Sequence, residues 1–145
     1  MFVILGVTGQ TGKVVAETLL ARKQPVRVVV RSAEQGAVWR TKGAEVAVAS
    51  LDDVPAMTRA VQGAAGLYLL VPPNYGASAW LEEQRRRVDQ AAEALKAGGV
   101  AHVVFLSSVG AQIPEGTGPI RAVRYGEQQL RAVARHLTVL RQIGR

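Results

Sequence analysis

Short apolar runs alternate with helix-like segments along the whole chain, and this alternation strongly limits the folds available to it. The runs FVILG, VRVVV, EVAVA, GLYLLV, HVVFLSS and LTVLR predict six strands. Between them, apolar residues at helical spacing predict five helices, near residues 13–22, 33–42, 54–61, 77–97 and 121–135. Strands separated by helices pair in parallel and are covered on both faces. We therefore predict an α/β fold with a doubly wound parallel sheet of about six strands and helices on both faces.

Composition predicts a single domain over residues 1–145. Apolar residues make up 48% of the chain, which is enough to bury one core. The chain has no cysteine, so disulfides, thiolate metal sites and a cysteine nucleophile are excluded. His102, at the start of a predicted strand, and His136, at the end of a predicted helix, have no third ligand at metal spacing, so we expect no metal. The apolar runs are too short to span a membrane, and with no targeting segment we expect a cytoplasmic location and no membrane partner.

The formal net charge of +7 raises nucleic acid as a partner. The densest basic run, EEQRRRVDQ, places Arg85, Arg86 and Arg87 about 100° apart around a helix, so they do not form one binding stripe. Glu82 and Glu83 stand four residues before Arg86 and Arg87, a spacing that favours ion pairs on a solvated helix face. We therefore do not expect nucleic acid as a partner.

The stretch ILGVTGQTGKVV places glycines at intervals of three between the first strand and the first helix. Gly6 allows a tight turn, Gly9 lets the backbone approach a ligand, and Gly12 permits close packing of the helix on the strand. The amides of such a turn, with the helix N-terminus behind them, can bind a diphosphate. At the first strand of an alternating chain this motif indicates a Rossmann-like dinucleotide-binding fold. We expect cofactor contacts from Gly6, Thr8, Gly9, Gln10, Thr11 and Gly12.

The residues after the second strand distinguish NADPH from NADH. The stretch VRVVVRSAE places Arg31 and Ser32 at this point, with no acidic residue before Glu34. An acidic residue there would bind the free ribose hydroxyls of NADH, whereas an arginine binds the 2′-phosphate of NADPH through charge-assisted hydrogen bonds. The sequence therefore predicts NADP(H) in preference to NAD(H).

The ends of the fourth and fifth strands should border the same crevice, because ligands of open parallel sheets bind beyond the carboxyl ends of the strands. Pro72 and Pro73 stiffen the backbone after the fourth strand and offer an apolar wall to a nicotinamide ring. Ser107 and Ser108 follow the fifth strand, where their hydroxyls either reach the crevice or cap a local turn.

Motifs spread over essentially the whole chain resemble those of the NmrA-like family, a branch of the atypical short-chain dehydrogenases/reductases. That family includes NAD(P)H-dependent quinone and azo reductases and non-catalytic redox-sensing regulators. The shared motifs, in order, are GVTGQTG, Arg31, LDD with AVQGA, LLVPPN, VVFLSSVGA and TGPI. The resemblance implies that Thr11 and Gly12 bind phosphate and that Arg31 binds the 2′-phosphate. It also implies that Val71 and Pro72 border the nicotinamide and that Ser107 forms the floor of the substrate crevice.

Two departures from the family concern the site itself. Ala49 and Ser50 replace the family's usual Gly-Asp pair near the adenine, so we expect the adenine contacts from Leu51 and Asp52. The Tyr-x-x-x-Lys motif of typical short-chain dehydrogenases is not met either, because Gln129 follows Tyr125. A tyrosine without a cationic neighbour is a poor proton acceptor at neutral pH. The candidate catalytic residues are Ser107 and Tyr125, and a packing or substrate-edge role is the alternative for Tyr125.

A third departure is that the family continues beyond its sixth strand into a C-terminal substrate subdomain, whereas this sequence ends TVLRQIGR. We expect that subdomain to be absent here. Its loss would expose a sheet edge and apolar surface near Val139, Leu140 and Ile143, which predicts a homo-oligomer.

Two functions fit these features, so we leave open whether the chain is an enzyme. The first is an NADPH-dependent reductase that transfers hydride directly to a quinone-like acceptor, which requires placement of two rings and no acid–base pair. The alternative is a non-catalytic module that senses NADP(H), a function favoured by the unmet Tyr-x-x-x-Lys motif and by the missing substrate subdomain.

Overall fold

A six-stranded parallel sheet forms the centre of the molecule in the computed structural model, which describes residues 1–7, 9–70, 80–107, 125–126 and 128–141. The spatial order of the strands is β3-β2-β1-β4-β5-β6, with every neighbouring pair parallel. The predicted Rossmann-like α/β fold is therefore confirmed. The strands are β1 (Phe2–Leu5), β2 (Val26–Val30), β3 (Glu45–Val48), β4 (Gly66–Leu70), β5 (His102–Ser107) and β6 (His136–Arg141).

Helices connect the strands as the alternation predicted. They are α1 (Gln10–Ala21), α2 (Ala33–Thr41), α3 (Val54–Val61) and α4 (Trp80–Gly98), and residues 125–126 and 128–133 are helical before β6. The expectation that His136 ends a helix is wrong. His136 begins β6 opposite His102 of β5, and its backbone N–H donates to the Ala101 carbonyl at 2.8 Å, which extends the ladder by one pair.

The core lies on both faces of the sheet, because successive side chains of each strand point to opposite sides. Along β4, Leu67 and Leu69 join the cluster with α3, α4 and the last helical segment, whereas Tyr68 joins the cluster with α1 and α2. The largest fully buried side chains are Ile4, Leu69, Leu130, Val3, Val28, Val61, Val88, Val100 and Val103. Helices thus cover both faces, as a doubly wound sheet requires.

Local capping fixes where α2 and α3 begin. The Ser32 hydroxyl accepts a hydrogen bond from the Gln35 N–H at 3.3 Å, and the Asp53 carboxylate accepts one from the Ala56 N–H at 3.1 Å. Each cap satisfies a helix-end donor that would otherwise have no partner. Both helices therefore begin within a few residues of the carboxyl ends of β2 and β3, next to the expected site.

Arg27 joins three elements at the opposite, amino edge of the sheet. Its Nη1 donates to the Ala60 and Gln62 carbonyls at 2.9 and 2.8 Å, near the end of α3. Its Nε lies 2.6 Å from Glu45 Oε1 at the start of β3. The Arg27 side chain is only 18% exposed, so these contacts form a partly buried clamp between β2, β3 and α3.

Candidate functional site

The turn between β1 and α1 is built from close backbone contacts. Gly6 has φ +77°, in the left-handed region that favours glycine. The Gly9 N–H donates to the Gly6 carbonyl at 3.0 Å. A Cβ on Gly12 would lie 2.3 Å from the Gly6 carbonyl oxygen, so only glycine fits there. Gly6 thus makes the tight turn, and Gly12 the close helix-to-strand packing, that the sequence predicted.

The N-terminus of α1 is free of side-chain caps. Gly9 occupies the N-cap position, and Gln10, Thr11 and Gly12 begin the first turn, which contains no acidic residue. The first backbone N–H groups of a helix have no partner within the helix and carry partial positive charge. This end of α1 therefore suits an anion such as a diphosphate. Thr8, the remaining predicted contact of the turn, lies outside the described residues.

A cavity of about 400 Å³ opens at the carboxyl edge of the sheet. Its lining includes Gly6 and Gly9 of the turn, Arg31 after β2, and Leu51 and Asp52 after β3. These residues come together because β1, β2 and β3 are neighbours whose carboxyl ends meet at one edge. The fold thus assembles one site from residues that the sequence singled out separately.

Arg31 follows β2 with an exposed side chain at the cavity. Its backbone N–H donates to Gln35 Oε1 at 3.1 Å, which fixes the loop between β2 and α2. The Ser32 hydroxyl is engaged in capping α2, so Arg31 is the residue of this loop that offers charge to a ligand.

The loop after β3 is held by its own polar groups and by α4. The Ser50 hydroxyl accepts from the Asp52 N–H at 3.2 Å. The Asp52 carboxylate lies 3.0 Å from Arg86 Nη1, in an ion pair whose two side chains are 66% and 51% exposed. Such an exposed pair contributes little stability, but it directs the Asp52 carboxylate towards α4. Leu51 packs partly against the core and supplies an apolar surface to the cavity.

Gln35, Met57 and Arg87 are among the lining residues that were not predicted from the sequence. Arg87 was assigned to a solvated helix face, yet it borders the cavity, and its neighbour Arg86 binds Asp52. A usable signal was present for Gln35 and Met57, because the first turn of a helix that follows a strand lies near the carboxyl edge of the sheet. Gln35 and Met57 belong to the first turns of α2 and α3, and Arg87 belongs to the first half of α4.

The predicted nicotinamide side falls largely outside the described residues. Val71, Pro72, Pro73 and Ser108 are not among them. Ser107 ends β5 beside the end of β4, but its side chain is not described. The described part of the site is therefore the part that the sequence analysis assigned to the adenosine and the diphosphate.

Tyr125 is bound to α4, and it is not part of the described cavity lining. Its hydroxyl donates to Asp89 Oδ1 at 2.5 Å, and the Arg85 guanidinium lies over its ring, 5.4 Å from the centroid. The hydrogen bond to Asp89 raises the pKa of Tyr125 above its ordinary value, with burial and the Asp89 charge adding to the rise and Arg85 opposing it. A phenol held in this way keeps its proton at neutral pH.

The described residues form neither of two other kinds of site. No group of three or more His, Asp or Glu side chains is arranged there to hold a metal ion. Among the helices of the described chain, none has the length and apolar character needed to cross a membrane.

Comparisons with known proteins give one family match. A family model described as NAD(P)H-binding matches residues 6–144. No curated protein matches the chain. This family model agrees with the cavity described above, which joins a glycine turn to the end of β2.

Several solved structures share the fold. A triphenylmethane reductase of Citrobacter sp. complexed with NADP(H) is 20% identical with a TM-score of 0.82, and the match covers 98% of this chain and 49% of that one. An NADPH-dependent quinone oxidoreductase of Escherichia coli complexed with NADPH is 23% identical with a TM-score of 0.76, covering 98% and 48%. An anaerobillin reductase of Escherichia coli O157:H7 is 16% identical with a TM-score of 0.73, covering 97% and 71%. The chain therefore spans about half the length of the first two structures, and these similarities show the fold.

Proposed function

Because the chain belongs to the NAD(P)H-binding family, we propose that it binds NADPH in preference to NADH and reduces quinone-like acceptors. The observation that carries this proposal is the cavity at the carboxyl edge, where the glycine turn, Arg31 and the loop after β3 meet. We also propose that residues 1–145 form one dinucleotide-binding domain.

The turn and α1 fit a dinucleotide diphosphate. The left-handed Gly6 and the absence of a side chain at Gly9 leave room for phosphate oxygens close to the backbone, while Gly12 lets α1 pack tightly against the turn. The free N–H groups of the first turn of α1 supply hydrogen-bond donors and partial positive charge. Leu51 and Met57 offer apolar surface in the same cavity, where an adenine would lie.

Charge in the cavity supports the preference for NADPH. Arg31 and Arg87 both border it, so a 2′-phosphate near the end of β2 would meet cations from two elements. The acidic lining residue Asp52 is paired with Arg86 and follows β3, so it is not placed at the end of β2 as an NADH-type ribose acceptor would be. A hydrogen bond between Arg31 and a phosphate contributes about 1.5–3 kcal/mol.

Reduction by such a site depends mainly on placement. When bound, a nicotinamide supplies a hydride, and the protein's part is to hold the dinucleotide and to orient the acceptor beside it. The glycine turn and α1 would fix the diphosphate, while Arg31 would fix the adenosine end. The quinone-like acceptor is suggested by the fold shared with a quinone oxidoreductase.

Calorimetric titration with NADPH and with NADH tests the cofactor proposal. We expect NADPH to bind at least about tenfold more tightly, which corresponds to about 1.4 kcal/mol. Arg31→Ala should remove most of this preference and leave NADH binding nearly unchanged. Arg22→Ala is the matched control, since it removes an arginine at the far end of α1. An equal loss for both cofactors in Arg31→Ala would contradict a 2′-phosphate contact.

A second candidate function is a non-catalytic module that senses NADP(H). It is favoured by Tyr125, whose proton is held by Asp89 and which is therefore unsuited to acid–base work. Loss of NADPH absorbance in the presence of a quinone separates the two functions. NADPH binding without quinone-dependent oxidation would support the sensing module and contradict the reductase.

We further propose that the chain forms a homo-oligomer. β6 lies at the edge of the sheet, and Leu140 is 46% exposed, with Leu137 and Val139 half-buried beside it. An open edge strand with exposed apolar side chains favours pairing with another chain. Ile143, which was expected to contribute, lies outside the described residues.

A further inference from the structure

Gln35 lies in the first turn of α2 and lines the cavity beside Arg31. Its backbone N–H donates to the Ser32 hydroxyl at 3.3 Å, which anchors the first turn of the helix to the loop after β2. Its side-chain Oε1 accepts a hydrogen bond from the Arg31 N–H at 3.1 Å. The main chain and the side chain of Gln35 are therefore both tied to the two residues that follow β2.

The hydrogen bond to Arg31 determines which end of the Gln35 amide is left for a ligand. A side-chain amide has an oxygen that only accepts and a nitrogen that only donates. Because the Arg31 N–H is a donor, the oxygen must face it, and the reverse orientation would set two donors against each other. Among the described residues, no acceptor holds the Gln35 Nε2 group. Gln35 therefore offers N–H donors, next to the Arg31 guanidinium, to a ligand in the cavity.

We propose that Gln35 is a specificity-determining residue, whose Nε2 group donates to the 2′-phosphate of NADPH while Arg31 supplies the positive charge. This inference rests on the proposed function. A hydrogen bond to an ionised acceptor is about twice as strong as one between neutral groups. The same amide therefore gains less from the 2′-hydroxyl of NADH than from the phosphate of NADPH. Gln35 thus adds to the preference for NADPH without adding a charge to the cavity.

The substitution Gln35→Glu reverses the chemistry of the free end and keeps the shape of the side chain. One carboxylate oxygen can still accept from the Arg31 N–H, so the loop keeps its hydrogen bond. The other oxygen replaces the N–H donors with a charged acceptor, which repels a phosphate and can accept from a free ribose hydroxyl. We expect NADPH affinity to fall about tenfold or more, and NADH affinity to stay the same or rise. Gln35→Met removes the donors without adding charge and should weaken NADPH binding about three- to tenfold.

Calorimetric titration of each variant with NADPH and NADH measures the effect. Adenosine 2′,5′-bisphosphate and AMP form a second ligand pair, which differs only in the 2′-phosphate and involves no nicotinamide. Gln24→Glu is the matched control, because it makes the same chemical change at an exposed position before β2, at the opposite edge of the sheet. It should keep the wild-type preference for NADPH. Equal losses for NADPH and NADH in Gln35→Glu would show only a disturbed loop and would overturn the inference, as would an unchanged preference.

Failure of this inference is distinguishable from failure of the proposed function. If the wild-type chain binds neither cofactor, or binds both equally well, the proposed preference fails and the role of Gln35 fails with it. If the wild type prefers NADPH, Arg31→Ala removes the preference and Gln35→Glu leaves it unchanged, only the role of Gln35 is overturned.

Discussion

The substitution Gly12→Ala tests whether the glycine turn is as tightly packed as its contacts indicate. The added Cβ would lie 2.3 Å from the Gly6 carbonyl oxygen, 2.6 Å from its carbon and 3.1 Å from the Leu5 oxygen. All three atoms belong to the backbone, so no change of side-chain rotamer relieves the clash. To restore a contact near 3.4 Å, α1 and the turn must separate by about 1 Å.

The size of the effect follows from two opposing contributions. Overpacking of this kind costs about 1–3 kcal/mol, whereas alanine in a helix is more favourable than glycine by up to about 1 kcal/mol. We therefore expect a net loss of about 1–2 kcal/mol in the free energy of unfolding, which lowers the melting temperature by about 2–8 °C. A displacement of about 1 Å at the phosphate site should also weaken NADPH binding strongly.

Thermal unfolding followed by circular dichroism, with titration of NADPH, measures both effects. Gly9→Ala is the matched control, because its Cβ would make only an ordinary contact of 3.5 Å with the Gly6 oxygen. Its φ of −94° is accessible to alanine. Gly9→Ala should unfold close to the wild-type temperature and yet bind NADPH less tightly, since its methyl group would stand at the cavity. A Gly12→Ala protein as stable as the wild type would refute the packing argument.

Three further predictions concern other parts of the molecule. Arg27→Ala should lower the free energy of unfolding, measured in urea, by about 1–3 kcal/mol, because two backbone carbonyls lose their donor. Glu45→Ala should lower it by less than about 1 kcal/mol, because the Glu45 side chain is 54% exposed. Equal losses in the two variants would contradict the role of Arg27 as a clamp. The raised pKa of Tyr125 adds stability that is fully present below about pH 10 and is lost as the pH rises through the folded-state pKa. The difference in the free energy of unfolding between the wild type and Tyr125→Phe should therefore be constant around neutral pH and become smaller in alkali. A difference that stays constant into alkali would contradict a raised pKa of Tyr125 in the folded protein. Leu140→Lys should reduce the mass measured by light scattering, and a monomeric wild type at micromolar concentration would contradict the oligomer.

The alternation of strand and helix could be predicted because each strand is buried on both faces and leaves an uninterrupted apolar run. The bounds of α3 were predicted as observed, since Asp53 caps its start and Pro55 stands in its first turn. The start of α1 was predicted three residues too late, because its N-cap is a glycine with no side chain to mark it. His136 was misassigned because its strand position depends on pairing with β5, which is distant in sequence.

In the candidate site too, residues near strand ends could be predicted from the sequence, whereas residues placed by packing between distant elements could not. Gly6, Arg31 and Asp52 could be grouped in advance because each lies within four residues of the end of a strand, and strand ends in a parallel sheet share one edge. Arg87 could not be placed, because its position depends on how α4 lies across the loop after β3.

The Arg27 clamp and the cavity lie at opposite edges of the sheet, and this separation bears on how such a chain can diverge. The contacts of Arg27 fasten β2, β3 and α3 where no ligand residue has been assigned. The loops after β2 and β3, by contrast, contribute Arg31 and Asp52 to the cavity with largely exposed side chains. Mutations in these two loops can therefore accumulate at little cost in folding stability, and under the proposed function they would alter cofactor choice. We expect variation among descendants of this chain to be concentrated there, while the amino edge changes slowly.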